Sequence, residues 1–168
     1  MDSIIDVNRQ RRSIRDFSQG EVSHEEIMFL MEAARWAPSG KNGQPWRFVV
    51  IHENHALKER FSRCTVNLNW VSKADCLILA FQYVERSYDR QKDTLAMGAA
   101  IQNILLAAHA RGLGACWLGE IVAQEASIRE MVPVPATCEM LAVIAIGHVI
   151  DGNRAGNRRE TSEFVTVV

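Results

Sequence analysis

The chain has 168 residues, 48% of them hydrophobic and 23% charged, with a formal net charge of −1; a chain of this length buries roughly 70% of its unfolded surface in one domain. That balance excludes a disordered chain and a broadly basic nucleic-acid binder, and no apolar run reaches the ~18 residues of a membrane-spanning helix. The opening stretch from Met1 to Arg12 lacks the basic-then-apolar order of an export signal, so one domain over residues 1–168, located in the cytoplasm, is expected.

A short amphipathic helix carrying Ile4, Ile5 and Val7 is predicted to open the chain, just ahead of Arg11. Ser23 with Glu26 three residues on reads as a capping box, and Val22 with Ile27 as its hydrophobic staple. The helix that follows carries Ile27, Leu30, Met31 and Ala34 at helical spacing and must stop before Pro38. Residues 47–52 read as a strand, followed by a polar, helix-prone stretch to about residue 63. Residues 76–81 are apolar at consecutive positions, which predicts a strand buried on both faces.

The longest helix is expected over residues 90–111, ended by a left-handed cap at Gly112. Its middle is apolar nearly all round, so it belongs at the centre of the fold or in a subunit interface. A short strand at 115–118, a helix from 124 to about 132 stopped by Pro133, and a third buried strand at 141–146 complete the pattern. No Gly-x-Gly-x-x-Gly follows a strand, which argues against a dinucleotide-binding α/β domain. Cys64, Cys76, Cys116 and Cys138 form no Cys-x-x-Cys pair, and the five histidines form no pair at helical ligand spacing. Reduced thiols and no metal centre are expected.

Three segments point to chemistry. Arg11, Arg12, Ser13 and Arg15 place three guanidiniums and a hydroxyl within five residues, a set of forked donors suited to a phosphate. The alternatives are a solvated charge cluster near a helix end or a nucleic-acid contact, although no aromatic platform accompanies it. The segment from Pro38 to Trp46 fixes a loop with two prolines and two glycines and sets Ser39, Asn42 and Gln44 along it. Side-chain amides carry donors and acceptors together, which suits the mixed edge of a heterocycle. The plainer reading is a turn held by local side-chain to backbone bonds. Gly112 to Gly119 closes the long helix and a strand with glycine at both ends, which permits close approach of another group and is equally a simple cap and turn.

Taken together, in this order and spacing, Arg-Arg-Ser-Ile-Arg-x-Phe, Ala-Pro-Ser-x-x-Asn-x-Gln-Pro-Trp and the Gln-Asn helix running into Gly-Leu-Gly-x-Cys-Trp resemble the nitroreductase-like flavoprotein family along nearly the whole chain. The resemblance implies an α+β fold: a central mixed, mostly antiparallel sheet flanked by helices, with the long helix at the interface of a homodimer whose terminal extensions are swapped. It implies FMN at that interface, NAD(P)H as electron donor, a small-molecule electron acceptor such as a nitroaromatic or quinone, alternating ping-pong turnover, and neither nucleic acid nor membrane as partner. Arg11, Arg12 and Ser13 resemble the phosphate and ribityl binders, and Arg15 lies toward the N1/O2 side of the ring. Pro38, Ser39, Gly40, Asn42 and Gln44 would come from the partner subunit. Asn67 resembles an Asn at the pyrimidine edge, Trp117, Leu118 and Gly119 run beside the ring, and Arg158 or Arg159 completes the phosphate clamp. No side chain is assigned as catalytic acid or nucleophile.

The chain also departs from the family pattern. Many members have a second Ser where this chain has Gly40, and some have a Lys where this chain has Trp70, with Lys73 nearby. The segment between Phe81 and the long helix is short, so the excursion that covers the flavin in longer members is trimmed. Flavin binding with little turnover, or different flavin chemistry such as dehalogenation, are the competing expectations.

Overall fold

The centre of the computed structural model, which describes residues 3–85, 87–150 and 155–168, is a four-stranded sheet in the order β1-β2-β4-β3. Its strands are β1 (Trp46–Ile51), β2 (Cys76–Tyr83), β3 (Leu113–Leu118) and β4 (Cys138–His148). All three strand pairings are antiparallel. The parallel contribution to the expected mixed sheet is a single bridge from Ser13 to Ala115 on the outer edge of β3.

Six α-helices surround this sheet among the described residues: α1 (Ile4–Gln10), α2 (His24–Arg35), α3 (His55–Ser62), α4 (Leu68–Val71), α5 (Arg90–Ala110) and α6 (Glu125–Arg129). The capping box at Ser23 and Glu26 forms as expected, with reciprocal bonds of 2.8 and 3.2 Å. Gly112 takes the left-handed conformation that stops α5, with φ +74°. The helix expected over 124–132 is shorter: a 3-10 stretch at Glu120–Gln124 uses up its first turn, and α6 spans five residues. The third buried strand is longer than its apolar run, because β4 extends to Cys138 and His148 to pair with the full lengths of β2 and β3.

Strand periodicity divides the core between the two faces of the sheet. Cys76, Ile78 and Ala80 of β2, with Ala142, Ile144 and Ile146 of β4, pack against Leu30 and Ala34 of α2 and Met97, Ile101 and Ile104 of α5. Leu77, Leu79 and Phe81, with Val143 and Ala145, pack on the other side with Phe61, Val71, Ile121 and Ile128. Both faces of β2 are therefore covered, as its unbroken apolar run predicts. The Asn103 side chain donates to the Ala33 carbonyl at 3.0 Å, tying α5 to the last turn of α2 where helix carbonyls lack partners.

The N-terminal segment is seated by the sheet rather than by its own helix. Ile14 donates its N–H to Ala115, and Ser18 to His148, at 3.0 Å each. Ile14 and Phe17 are buried against β3 and β4. They fit because Gly114 and Gly147 have no side chain: a Cβ at Gly114 would lie 2.8 Å from Ile14, and one at Gly147 would lie 2.8 Å from the Phe17 ring. By contrast α1 buries no residue, and Ile4 and Ile5 are exposed. No described helix is long and apolar enough to cross a membrane.

Candidate functional site

With Ile14 and Phe17 anchored inward, the residues between and before them stand along the outer edge of β3. Arg11, Arg12 and Ser13 are half-buried and Arg15 is exposed. Arg12 and Arg158 line one cavity with Arg9, Asn8 and Gly156, of about 410 Å³. Arg11 lines an adjoining one of about 300 Å³ with Leu105, His109 and Val149. Burial first, and then the neighbouring guanidiniums of Arg158 and Arg12, push the Arg11 pKa below its usual value. Part of the Arg12 guanidinium is committed to local backbone, donating to the Arg9 and Arg11 carbonyls, and a Cβ at Gly156 would collide with it. Of the two candidate tail arginines, Arg158 reaches this cluster; Arg159 is exposed and lines neither cavity.

Further along the same edge, Trp117 is 42% exposed and Leu118 is buried. Residue Ala115 beside Ser13 and residue Gly119 past the end of β3 are four residues apart, about 13 Å at strand spacing. There Asn67 meets Glu120: its Nδ2 donates to the carboxylate at 2.8 Å, and its Oδ1 accepts from the Trp70 indole N–H at 3.1 Å. The Thr65 hydroxyl donates to the same Glu120 oxygen and accepts from the Asn67 backbone N–H at 3.0 Å. Trp70 connects two other groups. The Arg15 guanidinium lies 6.0 Å from its ring centroid and the Phe17 ring 6.3 Å.

The loop after α2 is strained. Lys41, Asn42 and Gln44 all have positive φ, at 52°, 55° and 48°, a conformation that costs energy in residues other than Gly and clusters at functional sites. Ser39 Oγ accepts from the Gln44 N–H at 3.0 Å, and the Gln44 side chain donates to the Asn42 carbonyl. The local bonding of a turn is therefore present. Tyr88 fills the space beside Gly40, its hydroxyl 2.3 Å from where a Cβ would stand. Pro38, Ser39 and Gly40 line a cavity with Lys92, Leu95, Ala96 and Ala99 of α5. The arginine cluster lines different cavities, so a single chain does not bring the two predicted halves together.

Sequence reasoning missed Thr65 and Glu120, and named Trp70 only as a departure from the family pattern; their bonds join segments up to 55 positions apart. It also missed a second grouping, in which ligand atoms of Glu21, His52 and Glu53 fall within 4.8 Å of one another, with both carboxylates exposed.

The nitroreductase family model matches residues 9–80 and 62–148, which together span most of the chain and include the arginine segment, the Pro38 loop and β3. The chain belongs to the nitroreductase family. This nitroreductase-family chain is 31% identical over 143 residues, 84% of its length and 82% of the relative's, to a protein of Archaeoglobus fulgidus provisionally named NADH dehydrogenase/NAD(P)H nitroreductase. It is 24% identical to an iodotyrosine deiodinase of Thermotoga neapolitana, over 90% of this chain and 91% of that one. Among solved structures, a provisionally named nitroreductase from Desulfovibrio desulfuricans in complex with FMN has a TM-score of 0.93 and 39% identity, covering 100% of this chain and 98% of that one.

Proposed function

We propose that the chain is an FMN-dependent oxidoreductase, taking electrons from NAD(P)H and passing them to an electron-poor small molecule such as a nitroaromatic or quinone. It would work as a homodimer with two sites at the subunit interface, residues 1–168 acting as one domain. The observation that carries this reading is the line of groups along β3. It has the arginines Arg11, Arg12 and Arg158 lining adjoining cavities at one end and an Asn amide in a polar network at the other. The length between them suits a phosphate-bearing heterocycle, and the FMN bound by the Desulfovibrio desulfuricans relative supports FMN as that group.

On this reading Arg11, Arg12 and Arg158, with Ser13, hold the phosphate, the tail contribution falling to Arg158 rather than Arg159. The Asn67 amide meets the pyrimidine edge, and the backbone of Trp117, Leu118 and Gly119 runs beside the ring. Pro38, Ser39, Gly40, Asn42 and Gln44 come from the second copy, a reading supported by the cavity that Pro38, Ser39 and Gly40 line in their own chain, apart from the arginines. FMN, when bound, supplies two-electron exchange between the donor and the acceptor. The chain's own residues bind, orient and tune. A guanidinium from Arg15 at ~4 Å from the N1 side would stabilise negative charge there by up to about 4 kcal/mol, before desolvation is charged against it. The connection between β2 and α5 is too short to roof the ring, which leaves it open for donor and acceptor in turn.

Purified protein is expected to show flavin absorbance after FMN is added, and to bleach when mixed anaerobically with NADH or NADPH. Binding of FMN without bleaching by either donor would overturn the NAD(P)H-oxidising reading. The similarity to the Thermotoga neapolitana deiodinase favours one further acceptor class. Reoxidation of the bleached protein by a halogenated phenol, with release of halide, would identify dehalogenation.

A further inference from the structure

We infer that Glu120 and Trp70 are positioning residues that lock the Asn67 amide in one orientation toward the flavin edge; this rests on the functional reading above. An indole N–H can only donate, so the Asn67 atom 3.1 Å from Trp70 Nε1 must be its oxygen. An ionised carboxylate can only accept, so the atom 2.8 Å from Glu120 must be the amide nitrogen. The two requirements agree. Rotating the amide by half a turn would set N–H against N–H and oxygen against oxygen at once.

The lock is itself held at its far side. Thr65 donates to the Glu120 oxygen that Asn67 uses, and the Asn67 backbone N–H donates back to Thr65. The carboxylate at the end of β3 is thereby fastened to the turn before α4, and Asn67 is gripped through its backbone and both ends of its side chain. Each polar atom of the amide keeps one unused capacity, a second N–H on nitrogen and a second lone pair on oxygen. These are the complements of the carbonyl and ring N–H of an imide edge. An unlocked amide presents the wrong partner in half of its orientations, while a locked one loses no freedom on binding. Trp70 thus contributes through Asn67.

The test measures FMN dissociation constants by fluorescence quenching in a double-mutant cycle. Glu120→Ala and Trp70→Phe are each expected to weaken FMN about threefold to tenfold, because the released Asn67 side chain samples other rotamers besides the flipped amide and must be ordered on binding. Glu120→Gln, which keeps an accepting oxygen without the charge, should weaken it less than about twofold. In an Asn67→Ala background, Glu120→Ala and Trp70→Phe should each change binding less than about twofold. Equal losses in both backgrounds, no loss in either, or a Glu120→Gln as damaging as Glu120→Ala would overturn the inference. Glu120 is exposed, so its variants decide the matter even where Trp70→Phe disturbs folding. A wild-type chain that binds no FMN would instead overturn the functional reading itself.

Discussion

The four thiols differ in what surrounds them. Cys76 sits inside the core, where burial and then the neighbouring Asp75 carboxylate push its thiol up to about 12. Cys64 is half-buried, and burial raises its pKa while Arg60 pulls it down. Cys116 and Cys138 are buried. A thiol reagent at pH 8 is therefore expected to label one cysteine of the native protein, Cys64, and slowly, because the reactive thiolate is the minor form. Denaturant should expose all four, and rapid native labelling of more than one would contradict this packing. At this scale the arginine–serine run and the Pro-Ser-Asn loop were legible, since each places its donors within a few consecutive residues. Glu120 was not, because nothing near it in sequence marks a carboxylate whose partners are Thr65 and Asn67.

Among the elements, the N-terminal segment shows how a glycine on a strand can seat a neighbouring stretch of chain. Gly114 admits the Ile14 side chain, and Ile14 lies between Ser13 and Arg15. Replacing Gly114 with Val would force Ile14 off β3, at a cost of about 1–3 kcal/mol for overpacking. The expected outcome is a lower thermal midpoint together with weakened FMN binding, since Arg11, Arg12 and Ser13 move with Ile14. A Gly114→Val protein with unchanged stability and flavin affinity would show that the segment is seated otherwise. The capping box, the Gly112 stop and the covered faces of β2 could be read from local pattern. The short α6 and the extended β4 could not, because pairing partners and a preceding 3-10 stretch set their ends rather than their own residues.

For the whole molecule, the exposed apolar side chains need an explanation. Trp36 is 73% exposed and Leu95 70%, while Ile4, Ile5, Phe164 and Val167 also lie open. The homodimer proposed above would cover apolar surface of this kind, which marks an interaction face where it is contiguous. Light scattering is expected to give a particle of twice 18.9 kDa, and Leu95→Glu should shift it toward the monomer while lowering bound FMN. A Leu95→Glu monomer that keeps its flavin would remove the interface from the site. By itself the sequence determined the family, because a run of arginines with a serine, a Pro-Ser-Asn loop and an apolar central helix are local patterns with local causes. Tertiary structure alone decided which tail arginine joins the cluster, and that Asn67 is held between Trp70 and Glu120. It also decided that the Pro38 loop lines a different cavity from the arginines of its own chain. Those are distances between residues far apart in the chain, set by how helices and strands pack across two faces of one sheet, and no local pattern encodes them.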